Sequence, residues 1–298
     1  MKTLLKKIFL DPDKIATPTA RSIFLSNGNN SPEKEFAFFC SLKLKNGVTK
    51  TTDRDRMRDV DAWFIDLLPK DKYQTILDVA ISSGITTVEL CEMLDSKNIG
   101  YHMTGMDSDM TAFLLIFSDD KSILLDKEGQ PIHYEIGGKG FGYVKGTNIK
   151  HFAQRAFLDY QTRLFINFRL KGGLRSNTNN GHTKIHRIDL VSREIKKNPV
   201  IELVEDSIFS PGGGKKYSLI RAANILNKSY FSDERLVDAV QKLRLRLESN
   251  GFLLVCRTNM EGQNNATLFR LSNEDQFEIS GRFGNGSEIE DLVMGLNA

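Results

Sequence analysis

The sequence is poor in cysteine, and its three cysteines, Cys40, Cys91 and Cys256, lie far apart. A disulfide-stabilised scaffold and a cysteine-rich zinc site both require paired or closely spaced cysteines, so neither is expected here. Each cysteine stands in an apolar stretch, where a buried free thiol is the usual state. The cysteine content therefore favours a reducing compartment.

Long apolar runs are also absent from the sequence. No stretch approaches the ~20 residues that span a bilayer, and the first ten residues lack the apolar core and cleavage site of a secretory signal. We therefore expect a cytoplasmic location. The five histidines include one close pair, His182 and His186, which lies near glycine and asparagine, and we expect no metal site.

Positive charge is concentrated in one segment of the chain. Between Lys139 and Lys197 there are 13 lysine and arginine residues against three acidic residues, whereas the rest of the chain has 28 basic and 35 acidic residues. The overall net charge of +3 conceals this asymmetry. A segment with so strong a field of one sign requires an explanation of its own.

Hydrophobic periodicity predicts the fold class. A helix is expected over 53–68, where Met57, Val60 and Phe64 recur at helical spacing and Pro69 follows. Further helices are expected over 86–94 and from the cap Ser232 to Asn250-Gly251. The predicted strands are 75–80, 101–106, 200–204, 218–222 and 252–256, then an antiparallel pair at 267–271 and 277–282. This alternation predicts an α/β fold, a Rossmann-like doubly wound sheet of seven strands, mostly parallel with an antiparallel C-terminal strand.

A large insertion is predicted after the second strand, because one crossover helix would suffice where some 90 residues intervene. Within it we expect a hairpin from 123–125 and 132–136, followed by an amphipathic helix from Ile149 to about Leu170. The predicted organisation is an N-terminal segment with a helix over 1–70 and a catalytic domain over 71–298. The insertion occupies 111–197 of that domain.

The stretch Ile76-Leu77-Asp78-Val79-Ala80-Ile81-Ser82-Ser83-Gly84 runs from a strand into a helix. Small residues at 80, 82 and 84 let the backbone approach a ligand, and the helix N-terminus supplies free N–H groups. Asp107 ends the next strand, 23 residues after Gly84, where a carboxylate can accept hydrogen bonds from both hydroxyls of a ribose. Together these residues predict a nucleoside site. Their spacing alone does not distinguish one class of nucleoside-binding sheet from another.

This stretch resembles the first motif of the class I S-adenosylmethionine-dependent methyltransferases, acid-x-Gly-x-Gly-x-Gly. Asp78 and Gly84 match the motif, while Ala80 and Ser82 replace its first two glycines. The resemblance implies that S-adenosylmethionine is the cofactor. It also implies that Asp107 and its neighbour hold the ribose and that Asp206 and its neighbour hold the adenine amine. The implied cofactor-binding residues are Asp78, Ala80, Ser82, Gly84, Asp107, Ser108, Asp206, Ser207 and Arg221.

A second resemblance covers residues 217–226, Tyr-Ser-Leu-Ile-Arg-Ala-Ala-Asn-Ile-Leu, followed by Tyr230-Phe231. It is similar to the fourth strand of the same family, particularly in the chemotaxis-receptor glutamate methyltransferases, which end that strand in Arg-Asn-Val-Leu. Ala223 stands where those glutamate methyltransferases have the arginine, so we do not infer a glutamate substrate for this chain. Asn224 and Tyr230 are the candidate catalytic residues. The acceptor is not identified, and a small molecule or a lipid is expected.

Two other functions stay open at this point. A nicotinamide-dependent oxidoreductase would use a related sheet, but it predicts glycine at positions 80 and 82 and a Tyr-x-x-x-Lys pair that the sequence does not contain. A non-catalytic relative that uses the fold for binding is also compatible with Ala80 and Ser82. The sequence indicates no oligomeric state.

The predicted helix of the insertion also leaves alternatives open. Its apolar stripe comprises Ile149, Phe152, Ala153, Ala156, Phe157, Tyr160, Leu164 and Phe168. If the stripe packs on the sheet or on the N-terminal segment, the helix is a lid with solvated cations. If the stripe faces outward, a peripheral role at an anionic membrane follows. Nucleic acid is a third partner, although aromatic residues at strict helical spacing suit packing better than base stacking.

Overall fold

The structure is a computed structural model and describes residues 17–26, 30–42, 50, 53–142, 155–164, 179–180 and 183–297. The chain divides into two compact units. One, which we call the parallel-sheet unit, spans 52–108 and 191 onward. The other, the antiparallel-sheet unit, combines residues that precede 52 with 109–190.

The described helices are α1 Ala20–Phe24, α2 Pro32–Cys40, α3 Arg58–Leu67, α4 Ile85–Ser96, α5 155–164, α6 Arg193–Lys197, α7 Asp233–Arg244 and α8 Glu290–Met294. The described strands are β1 Gln74–Val79, β2 Tyr101–Asp107, β3 Thr111–Ser118, β4 Lys121–Asp126, β5 Pro131–Ile136, β6 Lys139–Phe141, β7 Asn179–Asn180, β8 Thr183–Asp189, β9 Ile201–Glu205, β10 Tyr217–Ala223, β11 Leu247–Thr258, β12 Asn264–Leu271 and β13 Phe277–Phe283.

The parallel-sheet unit contains a seven-stranded sheet in the order β9-β2-β1-β10-β11-β12-β13. Every pairing from β9 to β11 is parallel, and β12 is antiparallel to both of its neighbours. The predicted seven-stranded, mostly parallel sheet is therefore confirmed. The prediction of an antiparallel C-terminal strand needs correction, because the reversed strand is the penultimate one. Two successive tight turns, at 259–263 and 272–276, return β13 to the direction of β11.

Helices cover both faces of this sheet, as the doubly wound fold requires. On one face, Leu236, Val240 and Leu243 of α7 join a core with Leu77 and Ile220 from the strands. On the other face, α3 and α4 contact each other, and they contact β12 and β2 respectively. The carboxyl ends of β1, β2, β9 and β10 consequently meet at one edge of the sheet, with the topological switch point beside β1.

Two helix boundaries differ from the predictions. α3 begins at Arg58 rather than Asp53, although Val60 and Phe64 are buried as its periodicity predicted. α7 starts after Ser232 as expected but ends at Arg244, not at Asn250-Gly251. The strand pairing explains the earlier end, because Leu247 already pairs with Tyr217 at the start of β11.

The antiparallel-sheet unit contains a six-stranded sheet in the order β6-β5-β4-β3-β8-β7, with every pairing antiparallel. Phe38 and Phe39 of α2 pack with Leu114 and Leu124 on one face of the sheet. The predicted hairpin is present as β4 and β5.

The division of the chain differs from the predicted boundaries. The N-terminal residues before 52 belong with 109–190, whereas α3 belongs to the parallel-sheet unit. The physical reason is that Val60 and Phe64 of α3 are buried in that unit, while α1 and α2 supply the core of the antiparallel sheet. Helix α5 lies within the predicted helix at 149–170, and the other residues of that prediction lie outside the described residues.

Candidate nucleoside site at the sheet edge

In the loop between β1 and α4, every second residue has a left-handed backbone conformation. Ala80, Ser82 and Gly84 have φ angles of 57°, 59° and 84°, in the left-handed region. An L-residue with a Cβ occupies that region at a cost of roughly 1–2 kcal/mol, which glycine avoids. The three positions at which the family motif has glycine are therefore the three with left-handed backbone. Small size alone, the property on which the sequence argument relied, does not describe this requirement.

The start of α4 is closely packed at Gly84. A Cβ added at this position would lie 2.3 Å from Cδ1 of Ile195, a residue of α6. The backbone N–H of Ser192 also donates to the carbonyl of Ser83 at 2.8 Å. The chain just before and within α6 thus fixes the end of the loop and places an apolar side chain beside the helix N-terminus.

Asp107, the last residue of β2, is tied to the same loop. Its Oδ2 accepts a hydrogen bond of 2.8 Å from the backbone N–H of Ser82. The N–H of Ile81 donates to the carbonyl of Met106 at 3.2 Å. The carboxylate of Asp107 thus lies against the left-handed loop, and Ser108 beside it is exposed.

The end of β9 lies next to Asp107. The backbone N–H of Asp206 donates to the Asp107 carbonyl at 3.2 Å. The Asp206 carboxylate accepts from the N–H of Ser207 at 2.8 Å and from Nη2 of Arg246 at 2.9 Å. The same Nη2 also donates to the Ser210 carbonyl at 2.7 Å, so Arg246 holds the turn after β9 in place.

Asp78 and Arg221 do not reach this edge. Both side chains are at most 2% exposed, and Nη1 of Arg221 donates to Oδ2 of Asp78 at 2.9 Å. The other atoms of the guanidinium fork, Nε and Nη2, donate to Asp61 of α3 at 3.0 and 2.8 Å. The hydroxyl of Thr87 donates to Asp78 at 2.7 Å. We call Asp61, Asp78 and Arg221 the buried triad.

Two residues of the buried triad, Asp78 and Arg221, are among the predicted cofactor contacts. Asp78 and Arg221 are directly opposite each other in the register of β1 and β10 and point to the face covered by α3 and α4. Their polar groups bond to each other, to Asp61 and to Thr87, and both side chains are buried. Their role is to join α3, β1, β10 and α4, which fixes the strand from which the loop departs.

The triad holds two carboxylates against one guanidinium. Burial raises the pKa of Asp61 to about 7, although Arg221 opposes that shift, and burial likewise raises the pKa of Asp78. Burial by itself would lower the pKa of Arg221, but the two carboxylates outweigh burial and raise it. Arg221 therefore stays charged. The two carboxylates, which outnumber it, are the groups that take up a proton more readily than usual.

The candidate catalytic residues occupy different environments. Asn224 has a left-handed φ of 61°, and its Oδ1 accepts from the N–H of Thr258 at 2.8 Å. Its side chain thus bonds to the end of β11. Tyr230 is 49% exposed and lies edge-on to Phe231, with ring centroids 6.4 Å apart.

Two residues of this region were missed by sequence reasoning. Asp61 lies in the apolar stripe of α3, four residues after Met57 and three before Phe64, and an acid on a buried stripe signals a buried partner. Arg246 follows α7 and carries no comparable signal, because its partner Asp206 is 40 residues away in sequence.

Among the residues that the structure describes, no helix has the length and apolar composition needed to cross a bilayer. In the same residues, no three histidine, cysteine, aspartate or glutamate side chains are grouped so that they could hold a metal ion.

Comparison with known proteins gives similarity at the level of solved structures. No family model matches the chain, and no curated protein matches it. The N-methyltransferase NodS from Bradyrhizobium japonicum, in complex with S-adenosyl-L-homocysteine, is 10% identical with a TM-score of 0.33, over 74% of this chain and 71% of that one.

Two other solved structures show comparable similarity. The 1,6-didemethyltoxoflavin-N1-methyltransferase of Burkholderia thailandensis is 10% identical with a TM-score of 0.36, over 82% of this chain and 67% of that one. The CMeT domain of the citrinin polyketide synthase is 14% identical with a TM-score of 0.35, over 76% of this chain, which spans only 39% of that one. At such TM-scores the fold rests on the strand order and register of the chain itself.

Proposed function

We propose that the protein is a methyltransferase that uses S-adenosylmethionine and binds it at the carboxyl edge of the seven-stranded sheet. The observation that carries this proposal is the left-handed backbone at Ala80, Ser82 and Gly84, with Asp107 bonded to the loop beside the switch point. Ligands of open α/β sheets bind in the crevice at that point. The backbone conformation is thus that of a glycine motif, although two of the glycines are replaced.

The surroundings of Gly84 favour a sulfonium nucleoside over a dinucleotide. A dinucleotide places its pyrophosphate at the helix N-terminus, where it gains from N–H groups and from basic side chains. Here Ile195 packs on Gly84 and offers nothing to a phosphate. S-adenosylmethionine has no phosphate and therefore needs no phosphate site at this helix N-terminus.

In this proposal Asp107 accepts hydrogen bonds from the ribose hydroxyls, with Ser108 beside it. Asp206 and Ser207 approach the adenine amine, and Arg246 fixes the Asp206 carboxylate for that contact. Ala80, Ser82 and Gly84 line the loop that approaches the ligand. The buried triad is a positioning group and touches neither cofactor nor acceptor.

The bound cofactor would supply an activated methyl group for a displacement reaction. The chain would have to hold the acceptor in line with that group and exclude water, so proximity accounts for most of the rate effect. We propose a small molecule or a lipid as the acceptor. Tyr230 is the candidate on the acceptor side, because its ring is exposed after β10, whereas the Asn224 amide is bonded to β11.

The direct test is calorimetric titration of the full chain with S-adenosylmethionine, S-adenosylhomocysteine and NAD⁺. The proposal predicts micromolar affinity for the first two, corresponding to roughly −8 kcal/mol, and much weaker binding of NAD⁺. Preference for NAD⁺ would instead support a nicotinamide-dependent enzyme.

Turnover separates an enzyme from a binding protein on the same fold. Methyl-labelled S-adenosylmethionine would be incubated with the protein and an extract that contains metabolites, lipids and proteins. Label transfer above that of a heat-treated sample is the expected result. Cofactor binding without any transfer would indicate a non-catalytic relative.

A further inference from the structure

Helix α5 packs on the antiparallel sheet through its polar side. Asp159 accepts a hydrogen bond of 2.6 Å from the hydroxyl of Tyr134 in β5, and Thr162 of the helix is buried beside it, 3.4 Å from the same hydroxyl. The Arg155 guanidinium lies over the Tyr134 ring, 5.1 Å from its centroid. These contacts fix which side of the helix faces the sheet.

The apolar side of the helix consequently faces away from these contacts. Phe157 is 55% exposed, Tyr160 62% and Leu164 39%, and Ala156 is also exposed. The large residues follow the spacing i, i+3 and i+7, so they share one side of the helix. We call Phe157, Tyr160 and Leu164 the α5 outer face.

This orientation is the reverse of that in an ordinary surface helix. Such a helix packs its apolar stripe on the core and gives its polar side to water. Here the polar side carries specific hydrogen bonds, so rotating the helix to bury Phe157 and Tyr160 would break them. A contiguous exposed apolar face on a helix is typical of an interaction site.

The charge of the helix and of the sequence that contains it favours an anionic partner. Arg163 lies on the same helix between Tyr160 and Leu164 and is exposed. The surrounding sequence from Lys139 to Lys197 has 13 basic and three acidic residues. Apolar side chains on one side of a helix within a strongly basic segment match the chemistry of an anionic lipid surface.

We propose that the α5 outer face docks on an anionic lipid surface, with Phe157, Tyr160 and Leu164 entering the interface. A second copy of the chain fits less well, because it would bring two strongly basic segments together. Nucleic acid also fits less well, because three apolar residues and one exposed cation on a helix side favour insertion over phosphate contacts.

The test uses the full chain and co-sedimentation with vesicles. Phosphatidylcholine vesicles with and without about one third phosphatidylserine are compared at about 0.1 M and about 1 M NaCl, where the Debye length falls from about 10 Å to about 3 Å. Binding to the anionic vesicles alone, weakened by salt, is expected. Phe157→Ser/Tyr160→Ser/Leu164→Ser should reduce that binding about tenfold or more, and Arg163→Glu should reduce it by a smaller factor.

A matched control removes exposed apolar side chains elsewhere. Leu25→Ser/Phe36→Ser/Met260→Ser changes three residues that are at least 40% exposed and lie outside α5, and it should bind vesicles like the wild type. Circular dichroism and thermal melts establish that both triple variants are folded. No binding to anionic vesicles, or equal loss in both variants, would overturn the proposal. So would dimerisation in sedimentation equilibrium that the α5 variant abolishes, or preferential binding of a duplex oligonucleotide.

Discussion

Asp78 and Asp107 stand at the ends of adjacent parallel strands, yet their surroundings differ. Asp78 is opposite Arg221 in the register of β1 and β10, and its side chain bonds to Arg221 and to Thr87 of α4. Asp107 is the last residue of its strand and turns to the Ser82 N–H in the loop. In the register of β1 and β2, Asp78 is opposite Gly105, so Asp107 lies two positions further along, where β2 meets the loop. We propose that this difference makes Asp78 a structural carboxylate and Asp107 a ligand-binding one.

The largest expected effect is on stability and concerns Arg221, the buried partner of Asp78. Arg221→Ala leaves two buried carboxylates without their cation and should lower the free energy of unfolding by about 3–5 kcal/mol. Arg282→Ala is the matched control, because Arg282 is 53% exposed and also pairs with one carboxylate, Glu290. That change should cost far less, because solvent screens an exposed ion pair.

Urea unfolding of both variants provides the measurement. Similar losses in the two variants would show that the buried triad contributes no more than a surface ion pair. A loss of cofactor affinity in folded Arg221→Ala far beyond its loss of stability would instead return Arg221 to the cofactor site.

The second prediction uses the pKa of Asp61, which is about 7 in the folded chain and about 3.9 in an unfolded one. The raised pKa means that Asp61 favours folding below about pH 4, and this contribution is lost as the pH rises through about 7. The charges that act on Asp61 are Arg221, Asp78 and, more weakly, Glu89. Asp61→Asn should abolish this dependence.

The measurement is urea unfolding of wild type and Asp61→Asn at several values between pH 5 and 8. The wild type should lose stability relative to the variant by up to about 1.4 kcal/mol per pH unit, the limit for one proton. If the stability of the wild type and of Asp61→Asn changed with pH in the same way, the raised pKa of Asp61 would be contradicted.

The third prediction concerns the ligand side. Asp206→Ala should weaken S-adenosylhomocysteine binding by about 0.5–1.5 kcal/mol, because one contact is lost while Arg246 keeps its bond to the Ser210 carbonyl. Asp275→Ala, which removes another carboxylate paired with an arginine and is 68% exposed, is the control and should leave affinity unchanged. A larger effect at Asp206 than at Asp107 would reverse the assignment of their roles.

The smallest expected effect concerns the loop between the two carboxylates. Ala80→Gly and Ser82→Gly should each stabilise the protein by roughly 0.5–1 kcal/mol, since glycine occupies a left-handed backbone without a Cβ clash. Ser96→Gly, at the last residue of α4, should instead destabilise slightly. Thermal melts that show destabilisation at 80 and 82 would contradict the observed φ angles.

The sequence predicted the elements that are determined by residues close together in the chain. Apolar runs located the parallel strands, and the small residues at 80, 82 and 84 located the loop. The buried triad was not predicted as a unit, because Asp61 and Arg221 are 160 residues apart and meet only through tertiary packing. The end of α7 was misjudged because Leu247 continues the helical spacing, while pairing with Tyr217 draws it into β11.

The most direct test of the account is calorimetric titration of S-adenosylhomocysteine into the wild type and Asp107→Ala, with a thermal melt of each. The account predicts micromolar binding by the wild type and a loss of about 1.5–3 kcal/mol in the variant, with little change in Tm. Wild-type affinity in Asp107→Ala, or no binding by the folded wild type, would contradict the proposed nucleoside site.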